Sequence, residues 1–266
     1  MSSPSQLIAF FGATGGCTNA CLTHTLQAGF HATALARTPT KLTTMLLAQG
    51  LSQSVLDSQL TIVKGDIANI AAIKAVLTKN TAGTDHVELA TQIVSGLGAA
   101  PIFFKSVTKP VVMDNPNVCE QASQNIVQAL TELHHDDKPT ITVVSSTGIS
   151  DVKEDVPFGL RFLYHVVLKV PHQDKKRMDE ILNENAATSS EGQGVLKGVI
   201  VIRASLLTGD QDVKGGKGWK KLKVGTEDKP AIGYTVRRQD VGEWIFQEII
   251  KTGGESRLGQ RITLTN

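Results

Sequence analysis

Gly12, Gly15 and Gly16 stand in the stretch "AFFGATGGCTNACLTHTLQAGF", between an apolar run and a helix-like run. That placement suits the binding of phosphate. Gly12 follows the apolar run, where the chain must turn tightly, and Gly15 lets backbone approach an anion with no side chain in the way. The helix expected from about Thr18 then presents unpaired N–H groups and the positive end of its dipole, so the glycines, with Thr14 among them, form a cradle for a dinucleotide diphosphate. The next apolar run ends in "ALARTPTKL", with Arg37 and Lys41 and no carboxylate. A nucleotide without a ribose 2′-phosphate is usually met there by Asp or Glu. A guanidinium instead clamps a phosphate through charge-assisted, bidentate hydrogen bonds, and the Thr38 hydroxyl can add to it. The expected cofactor is therefore NADPH/NADP.

The elements that must hold these residues alternate along the chain. Short apolar runs at Leu7–Phe11, His31–Ala36, Leu60–Lys64, Gln92–Leu97, Ile141–Ser145 and Val195–Ile202 read as strands. Helix-like runs fall between them, at Asn19–Ala28, Pro39–Gln49, Ala68–Thr78, Asn117–His134 and His172–Ala187. A helix near Asp240–Lys251 and a strand at Arg261–Thr265 close the chain. This alternation predicts βαβ units, and hence an α/β, Rossmann-type doubly wound parallel sheet with helices on both faces. Residues 1–266 are expected to form one dinucleotide-binding domain, with 150–240 supplying most of the substrate side. Thr81–Thr91 is polar and ambiguous. Ser205–Thr235 is rich in glycine and lysine without periodicity, so it reads as a long solvated loop over the site, with Trp219 as its apolar contact.

The whole-chain balance narrows the partners. With 266 residues and a net charge of +2, the basic residues are dispersed apart from 214–223, which gives no electrostatic case for nucleic acid. No apolar run reaches the roughly 20 residues needed to span a bilayer. The start "MSSPSQ" has no signal-peptide pattern, so a cytoplasmic location is expected. Cys17, Cys21 and Cys119 have no zinc spacing and read as buried packing residues. A small-molecule substrate is the expected partner, and nothing indicates a homo-oligomer.

"GATGG" after the first strand, "VKGDI", "IVSGLG", "VVSSTG", "VIRASLLTGD" and "RRQDVGEWI", in this order, resemble the atypical short-chain dehydrogenase/reductases. The NmrA-like and the flavin or biliverdin reductase-like groups are the nearest in pattern. Thr18 stands where the family's turn has a third glycine, and Ala204 where a proline often follows the arginine of the sixth strand. The resemblance implies that Asp66 meets the adenine amino group and that Ile67 packs on its ring. It also implies that Ser95, Gly96, Leu97 and Gly98 border the ribose and nicotinamide, and Ser145 is expected among the cofactor-binding residues.

The family's proton-transfer set is a Ser followed by Tyr-x-x-x-Lys. The serine is available as Ser145 or Ser146, with Thr147 beside them. After Tyr164, however, Leu168 occupies the lysine position, and Lys169, five residues on, falls about 140° away on an α-helix. Tyr164 and Lys169 converge only if the helix is distorted. Lys175 or Lys176 is the alternative cation at the ribose, and His165 or His172 the alternative proton donor. The expected function is NADPH-dependent reduction of a carbonyl, imine or activated double bond, with Ser146, Tyr164, Lys169 and His172 as catalytic candidates and Lys176 at the cofactor. The alternatives are an NmrA-like NADP(H) sensor without turnover, which the broken Tyr-x-x-x-Lys would suit, and an isomerase or cyclase that retains the cofactor. Arg203 is expected to anchor its strand end on a carboxylate such as Asp240.

Overall fold

A computed structural model describes residues 6–80, 87–98, 101–106, 109–113, 115–187 and 194–266, with backbone alone at 101–106, 109–113 and 165. Eight strands form the main sheet: β1 (Leu7–Phe11), β2 (His31–Ala36), β3 (Leu60–Lys64), β4 (Gln92–Ser95), β5 (Thr140–Ser146), β6 (Gly198–Ala204), β7 (Lys223–Gly225) and β8 (Arg261–Thr265). Their order across the sheet is β7-β8-β6-β5-β4-β1-β2-β3. All pairings are parallel except the edge pair β7–β8. The strand order reverses between β1 and β4, and the carboxyl ends of such strands are where α/β sheets place ligands.

Both faces of the sheet are covered because its central strands are apolar on both sides; β1 is buried along its whole length. One face packs α1 (Gly16–Gln27), α2 (Pro39–Ala48), α3 (Gln53–Gln59) and α7 (Arg238–Ile245). The other packs α4 (Ile70–Leu77), α5 (Val118–Leu133) and α6 (Lys169–Glu184). Separate two-stranded ribbons form at Thr78–Asn80/Val87–Leu89, Pro101–Ser106/Lys109–Met113 and Leu206–Thr208/Thr235–Arg237. Part of the ambiguous polar stretch, 81–86, lies outside the described residues.

Three expectations need correction. The helix expected from His172 already starts at Lys169 and is preceded by a π-turn at Leu163–Val167. The sequence shows no sign of it, because Pro171 sits inside the first turn, where its missing N–H costs nothing. The stretch 205–235 is not an unanchored loop. β7 pairs along the sheet edge, Asp240 Oδ1 accepts from Lys217 N at 2.7 Å and Gly218 N at 2.9 Å, and Glu243 accepts from Trp219 N at 3.2 Å. Arg203, 3% exposed, pairs not with Asp240 but with Glu227 at 2.8 Å and Asp179 at 3.5 Å. Arg261 bridges the same two carboxylates.

Asp240 is fully buried, and its carboxylate holds two backbone N–H groups of the basic segment. Replacing it by Ala should cost about 3–6 kcal/mol, since hydrogen bonds to charged groups are each worth roughly 1.5–3. The midpoint of urea unfolding should fall accordingly; an unchanged midpoint would show that the segment is held by other contacts.

Candidate functional site

The site is built at the carboxyl ends of the parallel strands, beginning at the glycine turn. Gly12 has φ +77°, and a Cβ there would press on the Gly96 carbonyl carbon at 3.0 Å, so the two loops meet backbone to backbone. Gly15 N–H donates to Gly12 O at 2.8 Å and closes the turn. α1 starts immediately after, with no side-chain cap and no acidic residue in its first turn. The N–H groups of that turn, left without a side-chain acceptor and with no carboxylate to compete, fit the diphosphate of a dinucleotide. Thr18, in the third glycine's place, is buried, and the absence of a side chain at Gly96 makes room for it: a Cβ at Gly96 would lie only 1.8 Å from Thr18 Oγ1. The glycine missing from one loop is thus supplied by the loop opposite.

A cavity of about 290 Å³ runs from this turn across the ends of β2, β3 and β4. Gly12 and Thr14 line one side, Arg37 the end of β2, Asp66 and Ile67 the end of β3, and Leu97 and Gly98 the exit of β4. Asp66 also accepts from Ala68 N at 2.9 Å, so its carboxylate shapes its own turn as well. Gly15 and Gly16 stay at the head of α1, and the stem of Arg238 lies over Gly16. Thr38 and Lys41 lie exposed around the start of α2, outside the lining. Asn115, Val118 and Gln121 complete the cavity; no sequence motif had drawn attention to them.

α6 brings ionisable side chains next to this cavity, and two adjacent residues fix it in place. Asp174, 4% exposed, accepts from Cys119 N at 3.0 Å and Glu120 N at 2.8 Å, capping α5. Lys175 sends its ammonium to Leu97 O and Val144 O, each at 2.7 Å, across the ends of β4 and β5. Of the two lysines weighed for the cofactor side, the inward one is Lys175. Lys176, one residue and about 100° further round the helix, pairs with Asp151 at 2.5 Å. One turn earlier, His172 Nε2 stands 3.4 Å from Ser146 Oγ, with the direction of donation set by the imidazole tautomer. Ser145 is buried and its hydroxyl has no partner among the described residues.

A second cavity, of about 280 Å³, opens beside His172. Tyr164 and Lys169 both line it. The π-turn explains why: its hydrogen bond runs from Leu168 N to Leu163 O, five residues back, which adds a residue to one helical turn and offsets much of the 140° displacement. Tyr164 is nevertheless only 2% exposed, its ring 5.4 Å from that of His172, and burial raises its phenol above the ordinary tyrosine range. The side chain of His165 lies outside the described residues.

Burial also explains the cysteines. It pushes the Cys17 thiol up to about 12 and that of Cys119 to about 11, and raises Cys21 further. None is a ready nucleophile at neutral pH. Among the described residues no group of three or more His, Cys, Asp or Glu is placed to hold a metal ion, and no helix is long and apolar enough to cross a membrane.

Comparison with known proteins agrees with this geometry. Residues 12–251 match a family described as NAD(P)H-binding. "Reductase pytE" of Aspergillus terreus is 41% identical over 270 residues, covering 100% of both chains. "Oxidase pynE" of Aspergillus niger is also 41% identical, over 289 residues, covering 100% of this chain and 99% of the relative. A short-chain dehydrogenase/reductase from Veillonella parvula, solved in complex with NADP, shares the fold at a TM-score of 0.66 and 17% identity, covering 98% of this chain and 94% of its own. With a family match across most of its length and relatives of this identity end to end, the chain belongs to the NAD(P)H-binding family and is an NAD(P)-dependent oxidoreductase on a Rossmann fold of the short-chain dehydrogenase/reductase type.

Proposed function

We propose that the chain is an NADPH-dependent reductase of a carbonyl, imine or activated double bond in a small organic molecule, with His172 as its proton donor. The observation that carries this reading is the His172–Ser146 contact of 3.4 Å, with His172 also lining the second cavity. A titratable ring and a hydroxyl meet there, as proton transfer requires. The relatives' names run in both redox directions, reductase and oxidase. Reduction is favoured here because an arginine closes the end of β2 where a carboxylate would disfavour the 2′-phosphate.

In this reading Gly12, Thr14, Gly15 and Gly16 hold the diphosphate, Arg37 the 2′-phosphate, with Thr38 and Lys41 beside it, and Asp66 and Ile67 the adenine. Gly96, Leu97 and Gly98 border the nicotinamide riboside, with Ser145 beneath. When bound, the reduced nicotinamide supplies the hydride. Lys175 fixes the carbonyls of Leu97 and Val144, so the floor of the site is already set when a ligand arrives. Ser146 donates a hydrogen bond to the substrate oxygen. His172, in its imidazolium form, transfers a proton to that oxygen as its carbon is reduced, so a carbonyl gains one hydride and one proton and leaves as an alcohol. The neutral imidazole then takes a proton from solvent through the second cavity. Tyr164 packs against the imidazole and orients it, and Lys176 is held at the rim by Asp151.

Two measurements test this. Arg37→Ala should weaken NADPH binding about 10–100-fold, the equivalent of losing a charge-assisted contact of ~1.5–3 kcal/mol, and leave NADH nearly unaffected. Fluorescence titration with both nucleotides checks it, and equal losses would remove Arg37 from the 2′-phosphate. His172→Gln should lower kcat by about 10²–10⁴ for an aldehyde or quinone followed by NADPH absorbance, and abolish the loss of rate as pH rises through the imidazole range. Tyr164→Phe should keep that pH limb. If Tyr164→Phe abolished the limb and His172→Gln retained it, the phenol would be the proton donor.

A further inference from the structure

The second cavity has a charge pattern that reduction alone does not require. Lys169, His172, Gln173 and Lys176 all line it. They are spaced i, i+3, i+4 and i+7 along α6, so they form a single face of the helix. Every one of them carries N–H donors: two ammonium groups, an imidazole and an amide. From the opposite wall, at 148–151, one carboxylate faces them, that of Asp151, and it is taken up by Lys176 at 2.5 Å. Lys169, on the same face, has no carboxylate partner among the described residues. With Lys176 and Asp151 balancing each other, the lining keeps one uncompensated ammonium, that of Lys169, and a surplus of donors over acceptors. In a part-enclosed space of about 280 Å³, such a surplus is satisfied by a ligand that brings anionic oxygen.

We infer that the substrate of this site carries an anionic oxygen, a carboxylate or the enolate of an acidic dicarbonyl, in addition to the group that is reduced, and that Lys169 and Lys176 bind it. This rests on the reductase reading for the place of the reacting carbon, with His172 one helical turn from Lys169 and Lys176 on the same face. It accounts for what the reductase reading leaves unexplained, namely why the α6 face carries a lysine one turn to either side of His172.

The test uses the protein saturated with NADP⁺ and two matched pairs of probes. Terephthalaldehydic acid is compared with its methyl ester, and dimedone, an acidic dicarbonyl, with its enol methyl ether. Isothermal titration calorimetry should show at least one acid binding about 10-fold or more tighter than its neutral partner, with the gap narrowing at high salt. The pair that shows the gap tells carboxylate from enolate. The variants K169Q and K169Q/K176Q should bring acid and neutral affinities together while NADPH titration stays unchanged, which also reports that they fold. K169Q alone, at an exposed lysine without an ion pair, keeps the test open if the double variant is unstable. Equal affinities for both members of both pairs, or a preference that survives K169Q/K176Q, overturns the inference. Consumption of NADPH is followed separately. Tight acid binding with no turnover of any probe would remove the reductase reading and leave the anion site standing, whereas turnover without acid preference would do the reverse.

Discussion

The ammonium of Lys175 is the point at which scaffold and site become one structure. Near the carboxyl ends of β4 and β5 the carbonyls of Leu97 and Val144 need donors of their own. One side chain from α6 answers both, at 2.7 Å each, and its neighbour Asp174 answers two N–H groups at the head of α5. Each such bond joins a full charge to a backbone dipole, worth roughly 1.5–3 kcal/mol when kept from water. Because the two residues are adjacent, α6 can neither slide nor rotate without breaking both sets. The position of His172 against Ser146, and of the face carrying Lys169, Gln173 and Lys176, follows from that clamp.

The phosphate turn shows a different kind of constraint, in which a departure in one segment is balanced by another far away in sequence. Thr18 brings a buried side chain to the place where the pattern has glycine, and Gly96, at the exit of β4, has no side chain to oppose it. Packing at near-crystalline density leaves no slack for both. The same economy governs the charged cluster under β6 and β8. Arg203 and Arg261 share Asp179 and Glu227, so four charges that would be costly alone neutralise one another across the seam between sheet edge and α6.

How legible these features were depended on their range in sequence. The central strands and most helices lay within a residue or a few of their structural bounds, because apolar periodicity is local and strong; α3 was missed because seven residues give little room for a period. The glycine turn and the place of Arg37 at the end of β2 were legible because strand, turn, helix and strand follow one another closely in the chain. What stayed hidden turns on a single residue of register or on partners far along the chain. Tyr164 and Lys169 look misaligned on an α-helix, and only the π-turn places both on one cavity. Lys175 and Lys176 are equivalent as letters, yet one turns under the strands and the other to the rim. The order in 205–235 comes from Asp240 and Glu243 on a later helix, a pairing no local pattern announces.

α7 joins two of these features. Gly242 lets it approach α1 so closely that a Cβ would lie 2.4 Å from Cys17 O, and the stem of Arg238 rests on Gly16. One turn of the same helix anchors the backbone at 217–219. α1, which follows the glycine turn, and α7, which tethers the basic segment, are therefore packed as a pair. Loosening that packing frees the segment as well, so the lysines of 214–223, natural cleavage points for trypsin, report on how firmly α7 is held.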